Sequence, residues 1–204
     1  MAADKSTKIE KWLNPIYLQE EAMQALKKAF AQQQDIPHIQ VQDFFRSEKA
    51  KTILQHLQRS HYQQRYVPDR YNYAAADHIG SLQTIQEVFQ DPVFSLWLEE
   101  VTGKKSNACQ ISVVRFAHRD YTVIHDSEIP EEGLLLIYDP TRPWSSEAGG
   151  YEICTVPNKD PLVIQPKENT LTIVWMNKET RMFTKYCNHL SQNKKRYSVH
   201  VIYN

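Results

Sequence analysis

At 204 residues the chain is long enough to bury a sizeable core as one domain, and its 24 Lys plus Arg balance 24 Asp plus Glu, so net charge singles out no polyanionic partner. No apolar run approaches the roughly 20 residues that span a bilayer, and the opening MAADKSTKIEKW lacks the apolar segment of a secretory signal. Three cysteines, Cys109, Cys154 and Cys187, with no CxxC pair, argue against a disulfide framework or a thiolate zinc site and read as buried free thiols. These features predict a cytoplasmic protein without a membrane partner.

Residues 1–14 are polar and expected to fray, apart from Trp12 and Leu13, which can anchor the arm. Leu18, Ala22, Ala25, Leu26, Ala29 and Phe30 recur at helical spacing after Pro15. The alternation from Pro37 to Phe45 predicts a short edge strand. Ser47, followed by Ile53, Leu54 and Leu57, reads as the N-cap of an amphipathic helix. Residues 59–73 interleave basic side chains with Tyr62, Tyr66, Tyr71 and Tyr73. Arginine and aromatic rings can stack nucleobases, but the neutral chain argues against nucleic acid; the remaining readings are a tyrosine-packed loop or a substrate-side loop. Ser81 is placed as the cap of a further helix. Asp91-Pro92 starts another helix, which Gly103 ends.

From Ala108 the period changes to that of strands. Short β-rich runs lie at 111–116, 121–124, 133–138, 151–156, 162–164, 171–175 and 197–203. A helical half followed by many short strands predicts an α+β fold, a double-stranded β-helix (jelly roll) with supporting N-terminal helices. It is read as a single domain over 1–204, in which 1–104 supplies helical support and the substrate-side loop and 105–204 the jelly-roll core.

Several motifs occur in a fixed order. They are Asn14-Pro15-Ile16-Tyr17-Leu18, Asp43-Phe44-Phe45, the run from Phe116 to Ser127, Arg142-Pro143-Trp144, Gly149-Gly150-Tyr151-Glu152-Ile153, Ile164-Gln165-Pro166-Lys167-Glu168-Asn169-Thr170-Leu171 and Lys195-Arg196-Tyr197-Ser198. In that order they resemble the iron(II)- and 2-oxoglutarate-dependent dioxygenases, in the prolyl-hydroxylase-like branch that includes the eukaryotic hydroxylases of a small-subunit ribosomal protein. The resemblance implies Fe(II) held by two histidines and a carboxylate, and 2-oxoglutarate whose far carboxylate meets a basic side chain.

Carried over residue by residue, it places His125 as the first metal ligand. The carboxylate two residues on is replaced by Ser127, which leaves Asp126, or at longer reach Glu128, to stand in for it. Lys185 occupies the place of the second histidine, with His189 close by in sequence. Arg196, with Ser198, is placed on the 2-oxoglutarate carboxylate. His118-Arg119-Asp120 spells His-x-Asp, yet falls where the resemblance puts a turn. No catalytic residue is assigned.

Two functions follow. One is an Fe(II)/2-oxoglutarate oxygenase acting on a protein side chain such as proline. The other is a catalytically inactive relative, with no cofactor, that binds a protein, peptide or anion.

Overall fold

Alternating β-branched runs pair best when each strand has one face to bury, and the C-terminal half of this chain buries both. The computed structural model describes residues 8–33, 35–76, 83–105, 109–124 and 132–204. Its N-terminal part runs α1 (Lys8–Trp12), a 3-10 turn (Pro15–Leu18), α2 (Glu20–Gln32), β1 (His38–Val41) and α3 (Ser47–Arg59). The hairpin β2 (Tyr62–Val67) and β3 (Tyr71–Ala76) follows, then α4 (Gln83–Phe89) and α5 (Pro92–Thr102). The β part comprises β4 (Cys109–Phe116), β5 (Tyr121–Thr122), β6 (Gly133–Asp139), β7 (Glu152–Thr155), β8 (Leu162–Ile164), β9 (Thr170–Met176), β10 (Arg181–Thr184) and β11 (Arg196–Tyr203).

Among the described residues the strands form two sheets. The larger has the order β1-β9-β6-β11-β4-β3-β2, with β5 paired to β3, and the smaller is β10-β7-β8. Every pairing between strands is antiparallel. This is the jelly-roll arrangement expected, except that the two sheets face each other without closing into a barrel.

Period 2 divides β11 between two environments. Tyr197, Val199, Val201 and Tyr203 join Leu134, Leu136, Tyr138 and the helices in one core, so the opposite residues Arg196, Ser198, His200 and Ile202 look toward the small sheet. Between the sheets, Leu135, Ile137, Val174 and Met176 pack against Cys154, Ile164 and Met182.

Besides the β1–β9 pairing, a turn at Asn169 ties the helical half to the sheet. Asn169, at φ 51°, donates from Nδ2 to Phe45 O (2.8 Å) and accepts on Oδ1 from Phe45 N and Tyr138 Oη, each at 3.1 Å. Phe44 and Phe45 are thereby held among Trp12, Phe89, Phe94 and Trp97.

Helix α5 begins and ends where the sequence places it. Asp91 Oδ1 accepts from Val93 N (2.8 Å), and Gly103 takes the left-handed conformation at φ 68°. Four expectations need correction. The arm at 8–13 is ordered as α1, because Ile9 and Leu13 are at most 1% exposed and Arg46 donates to Glu10 O (3.1 Å). Arg46, not Ser47, is the N-cap of α3, with ψ at 140° and its carbonyl accepting from Lys49 N (2.9 Å) and Ala50 N (3.0 Å). Residues 62–76 form a hairpin rather than a loop, as β3 completes the large sheet beside β4. Strand β10 forms where no strand was expected, on pairing with β7 alone. Ser81 lies outside the described residues. No helix among those described is long and apolar enough to cross a membrane.

Candidate functional site

Arg196 opens β11 on the inner face, opposite Phe116 of β4, and its side chain is fully buried. A buried guanidinium has five donors to satisfy and a charge to neutralise. Its Nε donates to Asp139 Oδ2 (2.7 Å), Nη2 donates to Glu152 Oε2 (2.8 Å), and Nη1 donates to Gly150 O. Nη1 also stands 2.8 Å from Glu152 Oε1, an ion-pair contact in which Oε1 accepts no hydrogen bond. The planar face of Arg196 lies over the Phe116 ring, 5.9 Å from its centroid.

Both carboxylates are delivered by the fold. Asp139 ends the buried strand β6, with Oδ1 held by Thr141 N (2.9 Å). Glu152 begins β7 of the small sheet and is 0% exposed. Gly149 and Gly150 have φ of 74° and 69°, and a Cβ on Gly149 would lie 2.0 Å from Tyr186 O, so only glycine allows the backbone to pass here and bring Gly150 O to Arg196.

Burial acts on both acids, with different net results. It pushes the Asp139 carboxyl above its ordinary value, and Arg196 offsets this only in part. Burial acts upward on Glu152 too, but Arg196 and His200 outweigh it and hold the carboxyl below its ordinary value. For Arg196, burial works against the charge and the two carboxylates overcome it, raising its pKa.

The other inner-face residues of β11 are less well partnered. Ser198 Oγ, fully buried, has no hydrogen-bond partner among the described residues, and His200 Nε2 lies 3.7 Å from Glu152 Oε1, too far for a hydrogen bond. His200 also lines a cavity of about 490 Å³ between the sheets, whose walls include Tyr71, Tyr73, Phe116 and Thr122 of the large sheet and Met182 and Thr184 of the small one. Tyr73 lies between Tyr71 (5.5 Å) and Phe116 (6.0 Å), making an aromatic ladder along the large-sheet wall.

The predicted metal positions divide. His125, Asp126, Ser127 and Glu128 lie outside the described residues. Thr184 N at the end of β10 donates to Thr122 Oγ1 of β5 (2.7 Å), joining those two strands. Lys185 follows directly. Its backbone continues the β10–β7 pairing through Tyr151 O and Gly150 N, each at 2.9 Å, and its side chain is exposed. A lysine ammonium offers a metal no lone pair.

His189 is exposed on a 3-10 turn (His189–Ser191) that Asn188 pins to the Ser146–Ala148 turn through Glu147 O (2.6 Å) and Ala148 O (2.9 Å). His118-Arg119-Asp120 is a turn, as expected. Asp120 Oδ2 accepts from Ala117 N (2.8 Å), and Arg119 has φ 75°. Among the described residues no group of three or more His, Cys, Asp or Glu side chains is placed to hold a metal ion.

Sequence reasoning missed Asp139, Glu152 and His200. The available signal was an acid ending the apolar run Leu134 to Tyr138 and another opening Ile153-Cys154, each at an inward position of a buried strand.

Known proteins agree with this architecture. The chain is 26% identical to prolyl 3-hydroxylase OGFOD1 of Xenopus laevis across 90% of its own length, and 33% identical to the Mus musculus protein of that name across 46%. It spans 44% and 18% of the lengths of those relatives. Among solved structures, a Trichoplax adhaerens prolyl hydroxylase in complex with a hypoxia inducible factor peptide superposes with a TM-score of 0.69 at 13% identity, covering 92% of this chain and 94% of that one. A Pseudomonas putida prolyl-4-hydroxylase gives 0.68 at 8% identity, covering 89% and 98%. These two show the shared fold. Residues 4–78 and 62–204 match the family described as "Oxoglutarate and iron-dependent oxygenase degradation C-term". The chain belongs to that family, within the prolyl-hydroxylase-like branch of the 2-oxoglutarate oxygenases.

Proposed function

We propose that this oxygenase-like chain is a recognition module that binds a protein or peptide segment in the cavity between its sheets and does not turn over 2-oxoglutarate at Arg196. One observation carries the reading: the Arg196 guanidinium is already engaged by Asp139, Glu152 and Gly150 O. Two acids facing one guanidinium disfavour the arrival of a further dicarboxylate, and the residues present do not fit that co-substrate. The cavity, by contrast, offers aromatic faces and hydroxyls beside the β2–β3 hairpin, a surface suited to side chains of an extended segment. The peptide held by the Trichoplax adhaerens enzyme supports a partner of this kind. The cytoplasm is the compartment proposed, where the buried free thiols Cys154 and Cys187 stay reduced.

Calorimetric titration with 2-oxoglutarate in the presence of Mn(II) tests the reading. No saturable binding is expected up to millimolar concentration; micromolar binding that disappears in Arg196→Met would overturn it.

The relatives' names and the Thr122–Thr184 contact favour a second reading, an active prolyl hydroxylase holding Fe(II) through His125, Asp126 in place of Ser127, and His189 in place of Lys185. It requires micromolar metal and co-substrate binding in the same titration, lost in His125→Ala.

A further inference from the structure

Asp139 and Glu152 both neutralise Arg196, but they come from different places. Asp139 belongs to β6, the strand hydrogen-bonded to β11 in the same sheet. Glu152 belongs to β7 of the other sheet, so its bond to Arg196 crosses the gap between the two layers, alongside the bond from Nη1 to Gly150 O. Its carboxylate has no measurable exposure and presents both oxygens to the guanidinium, each 2.8 Å from a guanidinium nitrogen. One oxygen, Oε2, accepts from Nη2 and the other stays in ion-pair contact with Nη1, a seat that a free carboxylate entering between the sheets could take.

We propose that Glu152 is an intramolecular anion ligand: its carboxylate fills a carboxylate seat on Arg196 between the sheets, and removing that side chain opens a latent binding site for small carboxylates. This rests on the reading that Arg196 is closed to co-substrate in the native chain. Glu152→Ala keeps Cβ and deletes the remaining carbon and the carboxylate, whose heavy atoms match those of acetate one for one. Acetate carries both oxygens back to Arg196 as a separate molecule, with its methyl shifted outward from the Cγ position to van der Waals contact with the alanine Cβ.

The experiment melts wild type, Glu152→Ala and Glu152→Gln in sodium acetate and in sodium chloride at equal ionic strength. Glu152→Ala melts below wild type, and acetate raises its midpoint in a saturable manner, by about 3–6 °C at ten times the dissociation constant. Chloride has no such effect. Wild type and Glu152→Gln, whose seat is filled by a side chain, do not respond, and the response of Glu152→Ala disappears when Arg196→Met is added. Recovery of folded Glu152→Ala only from acetate-containing medium is the same rescue. The proposal is overturned if acetate restores neither folding nor melting of Glu152→Ala, or if it shifts wild type or Glu152→Gln equally. A wild-type chain that binds 2-oxoglutarate at Arg196 defeats the earlier reading. A wild-type chain that does not, with Glu152→Ala indifferent to acetate, defeats this inference alone.

Discussion

Replacing Arg196 by methionine keeps most of the side-chain volume while stranding Asp139 and Glu152, which are 4% and 0% exposed, without their cation. Breaking a buried ion network from one side costs about 3–5 kcal/mol, because uncompensated charge is left in a poor solvent for it. For a chain of this size that is a fall in melting temperature of roughly 6–20 °C.

The pH dependence is more diagnostic than the size. In wild type, Glu152 titrates below its unfolded value near 4.5, so its contribution is present above that pH and lost as pH falls through the folded value. Asp139 titrates above its unfolded value near 3.8 and contributes in the opposite sense, fully present below that value and lost as pH rises through the folded one. Without Arg196, burial governs both acids and raises both folded values. The variant therefore gains stability as pH falls through those raised values. Urea unfolding at several pH values, with the slope m checked for constancy, measures this. Arg196→Met combined with Glu152→Gln regains part of the loss at neutral pH, having one buried charge fewer. A cost under about 1 kcal/mol, or a variant whose stability does not rise on acidification, refutes the reasoning.

Asn169→Ala leaves Phe45 N and O and the Tyr138 hydroxyl without their partner, and urea unfolding shows a loss of about 2–5 kcal/mol. Two glycines at similar φ separate crowding from backbone strain. Gly103→Ala, with nothing within 4 Å of the added carbon, costs only about 1–2 kcal/mol, whereas Gly149→Ala meets Tyr186 O at 2.0 Å, costs more, and shifts the Arg196 resonances. Burial pushes the Cys154 and Cys187 thiols up to about 12, so site-resolved alkylation at pH 8 leaves both unmodified until denaturant is added.

What the sequence disclosed was set by how local the signals are. Asp91-Pro92 and Gly103 mark α5 because a cap and a left-handed terminus act within a few residues. Strand β6 is apolar on both faces, and β9 and β11 each carry one unbroken apolar face (Leu171, Ile173, Trp175 and Tyr197, Val199, Val201, Tyr203), enough to be recognised without their partners. The Arg181-Met182-Phe183-Thr184 run is too short and too mixed to declare itself, and only β7 makes it a strand. The polar residues of the β2–β3 hairpin read as a loop because exposed Gln63, Gln64 and Arg65 carry little β signal; sheet pairing decided the matter.

The site shows the same division. Arg196 was legible as the basic residue of the closing strand. Its neutralisation was not, because Asp139 and Glu152 lie 57 and 44 residues away in sequence and reach it only through the sheet order. Identity of a residue at a motif position does not reveal its electrostatic partners.

The central claim, that the chain itself occupies the carboxylate seat on Arg196, is tested most directly by the ¹⁵N–¹H resonance of the Arg196 Nε group, assigned by its loss in Arg196→Met. Buried and bonded to Asp139, its proton exchanges slowly, and its shift stays fixed as 2-oxoglutarate is added to millimolar concentration. A fast-exchanging proton, or a saturable shift with 2-oxoglutarate, contradicts the account.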